Sequence, residues 1–239
     1  MNVMILGPAG CGKSLLTEKF GAYLEREGYS VKHVNLDPGF LSVSYRCSFD
    51  VGERITVERI MKRERLGPNG AVIRAMEKLE NIEIPNYDED FVPIDTPGQL
   101  EIFSFHRCGP KIINQLKDPV GIFILDASNG VKDLPAAYLY SLATRYRLGI
   151  NAVNVVNKAD LLSGKERMLM QSFLSNPLEF KEVIKAKGVI LDIYHSIPEL
   201  LQEVLPAQRI PFISAKTEMG FDELLDILYE IRCSCGDLT

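Results

Sequence analysis

No stretch of the 239-residue chain approaches the roughly 18 consecutive apolar residues of a membrane-spanning helix, so no membrane association is expected. Cysteine is scarce and scattered. Cys11, Cys47, Cys108, Cys233 and Cys235 are odd in number and irregularly spaced, which excludes a secreted disulfide framework. Cys233 and Cys235 have no second ligand pair at zinc-like spacing and read as spare tail thiols. Positive charge is in deficit: 27 Lys and Arg against 32 Asp and Glu give a net charge of -5, which argues against a broad nucleic-acid-binding surface. A local basic group, Lys62, Arg63, Arg65 and Arg74, reads as a solvated helix face. The opening MNVMILG lacks the basic region and apolar core of a secretory signal, and a cytoplasmic location is the expectation. Internal repeats, low-complexity tracts and flexible linkers are also missing.

What is present is an alternation. Val3–Leu6, Val31–Leu36, Phe91–Ile94, Val120–Leu125, Ala152–Val156 and Ile210–Ile213 are short, branched apolar runs bounded by turn residues, the pattern of buried strands. Between the first two, KSLLTEKFGAYLEREG sets Leu16, Phe20, Tyr23 and Leu24 on one helical face, and Gly28 supplies a stop. Strands separated by helices require right-handed crossovers, hence a mainly parallel sheet covered by helices on both faces. The length suits one large α/β domain over residues 1–239. Two segments exceed a minimal design. Residues 40–90 carry helical patterns at Val57–Arg65 and Ala71–Glu80, with GPNG between them. Residues 163–209 form a helical insertion rich in apolar side chains, among them Met168, Met170, Phe173, Leu174, Phe180, Val183, Ile184, Leu200, Leu201 and Val204. It serves either as a cover on the sheet or as a Met-rich groove for a partner.

Ligands of parallel sheets sit at the carboxyl ends of the strands, and every polar motif follows a strand. GPAGCGKS, Gly7 to Ser14, fits G-x-x-x-x-G-K-[ST] after the first strand. Its glycines let backbone N–H groups wrap phosphates, and a helix N-terminus adds positive potential. Gly10, Cys11, Gly12, Lys13, Ser14 and Leu15 form the phosphate-binding set, with Lys13 on the β- and γ-phosphates and Ser14 on Mg2+. DTPGQLE begins with Asp95, a carboxylate placed for the metal shell, and its Gly98 brings an N–H to the γ-phosphate. Asp37 of VNLDPG ends the second strand and faces the same edge, where it organises the metal's water or accepts a proton from the attacking water.

NKAD follows the fifth run. Asp160 accepts from guanine N1–H and the N2 amino group, a pair that adenine does not offer in that orientation. Asn157 ties this loop to the phosphate loop, and the Lys158 stem covers the ring. Ser214, Ala215 and Lys216 follow IPFI, with the Ala215 N–H offered to guanine O6.

Together these motifs resemble the P-loop GTPases over nearly the whole chain, which implies a three-layer P-loop NTPase sandwich. The LDP resembles the branch that holds signal-recognition and dimerising metal-insertion NTPases. Within it, Gly67-Pro68-Asn69 resembles the signature of the GPN-loop GTPases, whose pattern of GPxGxGKS/T, NLDP, GPN, DTPGQ-E, NKxD and SAK is matched element by element. Gly39 departs from relatives that carry a residue such as Ala there. The resemblance implies hydrolysis of GTP to GDP and phosphate with Mg2+, in a homodimer where Asn69 acts in trans on the partner's phosphate. It also implies that Gln99 and Glu101 position the attacking water, that Ser14, Asp37 and Asp95 organise the metal, and that Lys13 stabilises phosphate charge. Eukaryotic members are linked to RNA polymerase assembly, so a nucleotide-driven switch or assembly factor is the expected role. The alternative is a Ras-like monomeric switch, which leaves the GPN segment without a task.

Overall fold

The structure is a computed structural model that describes residues 1–39, 44–178, 196–202 and 209–236. Its centre is a six-stranded parallel sheet of β1 (Asn2–Leu6), β2 (Val34–Asn35), β3 (Phe49–Asp50), β4 (Val92–Asp95), β5 (Pro119–Asp126) and β6 (Asn151–Asn157). The strand order is β3-β2-β4-β1-β5-β6, so the α/β class expected from the alternating pattern is the one observed. Helices α1 (Lys13–Arg26), α2 (Val57–Glu64), α3 (Pro68–Leu79), α4 (Leu100–Phe105), α5 (Cys108–Ile113), α6 (Leu134–Leu148) and α7 (Gly164–Ser175) follow in chain order. A helical stretch at 196–202 (α8) and the C-terminal α9 (Phe221–Gly236) complete the described elements.

The two-residue period of the strands divides the core. Met4 and Leu6 of β1, Phe123 and Leu125 of β5 and Val156 of β6 join a cluster with apolar residues of α3 to α7. The intervening Val3, Ile5, Ile122, Ile124, Val153 and Val155 point the other way, onto Leu16, Phe20 and Leu24 of α1 and Phe221, Leu224 and Leu228 of α9. Each fully buried side chain of this size contributes about 1.5–3 kcal/mol, and neither face of a parallel sheet is left to water. Helix α1 ends as its sequence predicts. Gly28 takes φ +94°, its N–H donates to the Glu25 carbonyl at 3.1 Å, and the Tyr29 N–H donates to Leu24 O at 3.1 Å.

Three local departures bear on the site. The predicted strand at Ile210–Ile213 is a single bridge of Phe212 to Val156. Pro211 accepts from the Val156 N–H at 2.9 Å but has no N–H to extend a ladder. The second predicted strand contracts to Val34–Asn35 with an isolated bridge at Val31. Conversely β3, too short to show alternation, pairs with β2 through Val34–Phe49 and Asn35–Asp50 and ties the chain after residue 43 back to the sheet. In the second insertion Met170, Phe173 and Leu201 are buried, while Met168 and Leu200 are exposed. Phe180, Val183, Ile184 and Val204 lie outside the described residues, as do the side chains of Cys233 and Cys235. Of the basic group, Lys62 pairs with Glu58, and Arg74 with Glu64 and Glu77, which leaves a mixed surface rather than a cationic patch. No helix among the described residues is long and apolar enough to cross a membrane.

Candidate functional site

Because all strands run in parallel, the loops after β1, β2, β4 and β6 emerge at one edge, and the strand order sets Asp37, Asp95 and the loop after β1 side by side. That loop could not be built without glycine at two points. Gly12, the N-cap of α1, takes φ +99°, and a Cβ there would lie 2.8 Å from Asn157 Nδ2. Gly7 takes φ +151°, and its Cβ would lie 2.6 Å from Cys11 Sγ. The Lys13 ammonium is buried in the bend. It donates to the carbonyls of Gly7 at 2.9 Å, Pro8 at 3.1 Å and Gly98 at 3.1 Å, using its full donor capacity. The last bond joins the phosphate loop to the DTPG turn. Reaching a phosphate requires Lys13 to exchange one of these carbonyls for it.

Asp95 ends β4 with no exposed surface. Burial, reinforced by the neighbouring Asp37 charge, raises its carboxyl to about 6, against hydrogen bonds from Ser14 and Tyr45 and the charge of Lys13. Its Oδ2 accepts from the Tyr45 hydroxyl at 3.3 Å, and its Oδ1 is buried without a partner. Thr96 locks the following turn by donating to Ile5 O at 2.6 Å. Asp37 is also buried and raised by desolvation, which backbone donors at Gly39 and Gly98 partly offset. Its Oδ1 accepts from the Gly39 N–H at 2.7 Å. A residue that the sequence reading missed holds Asp37 in place. Asn35 accepts from the Asp37 N–H at 3.0 Å and donates to Asp50 Oδ1 at 2.8 Å. Two buried carboxylates beside a hydroxyl, one with an unsatisfied oxygen, fit a hard divalent cation such as Mg2+. Among the described residues no group of three or more His, Cys, Asp or Glu could hold a metal by itself, whereas Mg2+ typically uses one or two carboxylates plus phosphate oxygens.

Beside Asp37 a cavity of about 440 Å³ opens between Pro97, Gly98 and Gln99 on one wall and Thr56, Val57, Met61, Val72 and Met76 of the α2–α3 face on the other. Gln99 contributes a buried Oε1 with no partner. Two candidates stand apart. Glu101 is exposed on α4 and accepts from the Tyr140 hydroxyl of α6 at 3.4 Å. Gly67, Pro68 and Asn69 are exposed, and they are the N-cap and first turn of α3 rather than a free turn, with Pro68 at the first helical position.

At the other end of the edge, Asn157 of β6 donates through Nδ2 to Cys11 O at 2.9 Å and accepts the Ala215 N–H at 3.0 Å. The second bond alters one expectation: a guanine O6 would have to compete with Asn157 for the Ala215 amide. Lys158, at φ +63°, donates to Gly10 O at 2.9 Å and pairs with Asp126 at 2.5 Å, so its stem lies over the phosphate loop. Asp126 ends β5, and the strand-end rule that singled out Asp37 and Asp95 applies to it equally. Asp160 and Lys216 are exposed, whereas Ser214 is buried and accepts the Thr217 N–H at 3.2 Å.

A glycine loop on a helix N-terminus, strand-end carboxylates beside it and an Asn-Lys-x-Asp turn bonded to that loop define a P-loop GTPase. The family model described as a conserved hypothetical ATP binding protein matches residues 5–234. The GPN-loop GTPase PAB0955 of Pyrococcus abyssi is 38% identical over 250 residues, covering 100% of each chain. Its crystal structure superposes with a TM-score of 0.85 at 34% identity, over 98% of both chains. GPN-loop GTPase 3 of Dictyostelium discoideum is 30% identical over 84% of this chain and 75% of its own. The chain belongs to the GPN-loop GTPase family, and its enzyme class is GTP hydrolase.

Proposed function

We propose that the chain hydrolyses GTP as a homodimer in which each subunit lends its Asn69 loop to the site of the other. The observation that carries this reading is the exposed start of α3: Gly67, Pro68 and Asn69 are solvent-facing, and the Asn69 amide makes no hydrogen bond among the described residues. A proline-started helix is a rigid mount, and an unengaged amide is a group suited to another molecule's phosphate. Residues Gly10 to Leu15 and Gly98 wrap the phosphates. Ser14, Asp37 and Asp95 would hold Mg2+, which neutralises phosphate charge when bound. Asp37 and Gln99 orient the water whose oxygen attacks the γ-phosphorus as the bond to the β–γ bridging oxygen breaks, and Glu101 joins them after exchanging its Tyr140 partner. Asn157, Lys158, Asp160 and the Ser214–Lys216 turn select guanine. Positioning and fixed charge supply most of what phosphoryl transfer asks of a protein.

The biological reading is a nucleotide-driven switch or assembly factor acting in the cytoplasm, with RNA polymerase subunits or assembly factors as clients by family resemblance. The exposed Met168 and Leu200 of the second insertion support a protein partner.

Phosphate release by Asn69→Ala tests the catalytic part. Turnover falls about tenfold or more while GTP affinity stays within a few-fold. Mixing Asn69→Ala with Lys13→Ala restores part of the activity, once subunit exchange has been verified by a labelled-subunit assay. Full turnover by Asn69→Ala overturns the role of the loop. A monomer in size-exclusion chromatography with a GTP analogue favours the Ras-like alternative.

A further inference from the structure

Tyr45 belongs to none of the motifs, yet its hydroxyl enters the phosphate site. The residue lies four positions before β3, which pairs with β2 at the sheet edge. Its ring lies 5.2 Å from that of His33 at an interplanar angle of 45°, and Cys47 lies beside it. His33 is itself wedged. The imidazole is buried over α1 at Gly21, where even a Cβ would fall 2.0 Å from Nε2. The smallest residue on α1 therefore makes the slot, His33 fills it, and the Tyr45 ring packs at a tilt against His33 with its hydroxyl 3.3 Å from Asp95 Oδ2.

The effect on Asp95 is asymmetric. The Tyr45 phenol holds Oδ2, the Ser14 hydroxyl also hydrogen-bonds this carboxylate, and Oδ1 is fully buried without a partner. A carboxylate in a dry site rotates about its last torsion unless one oxygen is fixed, and fixing one aims the other. We propose that Tyr45 is a positioning residue for cation binding: by donating to Asp95 Oδ2 it reserves Oδ1 for Mg2+ or a water on it, and so sets the magnesium affinity of the nucleotide site. The proposal rests on the Mg2+-dependent guanine-nucleotide reading given above. It goes beyond that reading by adding a residue from outside the recognised motifs, and by linking residues 44–48 to metal occupancy. A space-filling role is the competing account. The two differ in what loss of a single oxygen does, because Tyr45→Phe keeps the ring on His33 and removes only the donor.

The test is the release rate of N-methylanthraniloyl GDP from wild type and Tyr45→Phe across buffered free Mg2+, from excess EDTA to millimolar metal. Thermal unfolding is measured in parallel to establish that the variant folds. Loss of one hydrogen bond to a charged acceptor corresponds to a three- to tenfold change, roughly, in the Mg2+ concentration that half-maximally slows release. The expected result is that rise in the midpoint, with release rates in EDTA within about twofold of wild type because the nucleotide contacts are untouched. Equal midpoints overturn the proposal and leave the Mg2+ reading standing. Equal acceleration of release at every metal concentration also overturns it, since that is the signature of a loosened fold. Wild-type release that ignores Mg2+ overturns the metal reading itself, and the Tyr45 proposal with it.

Discussion

Asn157 donates its side-chain amide to the Cys11 carbonyl at 2.9 Å, across 146 positions of sequence. With its second bond, to the Ala215 N–H, one buried amide joins the loop after β1, the end of β6 and the turn after Phe212. The same amide explains Gly12, whose absent Cβ leaves room for it. Asn157→Ala leaves a buried carbonyl and a buried N–H unpaired, each of which costs about 1–3 kcal/mol. Urea unfolding is expected to show a loss of about 2–4 kcal/mol, and nucleotide affinity falls at least about tenfold because the phosphate loop loses its brace. A variant that unfolds like wild type yet binds poorly would show that Asn157 touches the ligand and braces nothing.

Asp160 offers a cleaner change because it is exposed and makes no hydrogen bond within the described residues. A carboxylate accepts from the N1–H and N2 amino group of guanine, whereas Asn can donate its NH2 to the O2 of xanthine while still accepting from N1–H. Asp160→Asn is expected to reverse the preference between GDP and xanthosine diphosphate by about two orders of magnitude or more. Competition binding with fluorescent GDP measures this, and an undiminished guanine preference would remove Asp160 from the base site.

The sheet and the shape of the glycine loop after β1 were legible because each rests on a short-range pattern. Val3–Leu6 and Val120–Leu125 are runs whose burial on both faces needs no knowledge of their partners. Lys13 and Gly12 are dictated by their own loop. What stayed hidden depends on distant partners. The β3 strand exists only because β2 lies beside it, and its two residues carry no period. Nothing in the spacing of Tyr45 announces the 3.3 Å approach to Asp95, 50 positions away. Pro211 was readable, and its missing N–H should have demoted the last strand to a bridge. GPNG falls between the two helical patterns because Gly and Pro punctuate, but Pro at the first helical position starts a helix equally well.

Gly21 tests the packing beneath Tyr45. In the middle of α1, Gly→Ala ordinarily gains about 1 kcal/mol of helix stability. Here the added methyl meets the His33 ring, which is buried and has little room to withdraw. Overlap of this degree costs about 1–3 kcal/mol and outweighs the helix gain, so Gly21→Ala is destabilising in wild type. In a His33→Ala background the same substitution becomes stabilising. The change of sign, read by a double-mutant cycle in urea, identifies the steric pair, and additive effects would dissolve it.

The buried carboxylate makes the site a source of pH-dependent instability. Asp95 has its folded value raised from 3.8 to about 6, chiefly by burial, with Asp37 adding to it and Ser14, Lys13 and Tyr45 opposing. Between those values the folded protein keeps a proton that the unfolded chain has released. The resulting stability is therefore full below pH 3.8 and is lost as pH rises through 6. Above that, the ionised group costs about 3 kcal/mol at most. Asp95→Asn removes the charge, so in buffer with neither Mg2+ nor nucleotide the variant is expected to be more stable than wild type at pH 8 by about 1–3 kcal/mol. The two converge toward pH 4, where wild-type Asp95 is neutral as well. The variant also loses the magnesium dependence of nucleotide release, and adding Mg2+ and GDP narrows the stability gap by raising wild type alone. Urea denaturation across pH 4 to 8, with and without the metal and nucleotide, separates these effects. A gap that is unchanged across pH would mean that the gain comes from packing, and a wild type that Mg2+ and GDP do not stabilise would take Asp95 out of the metal shell.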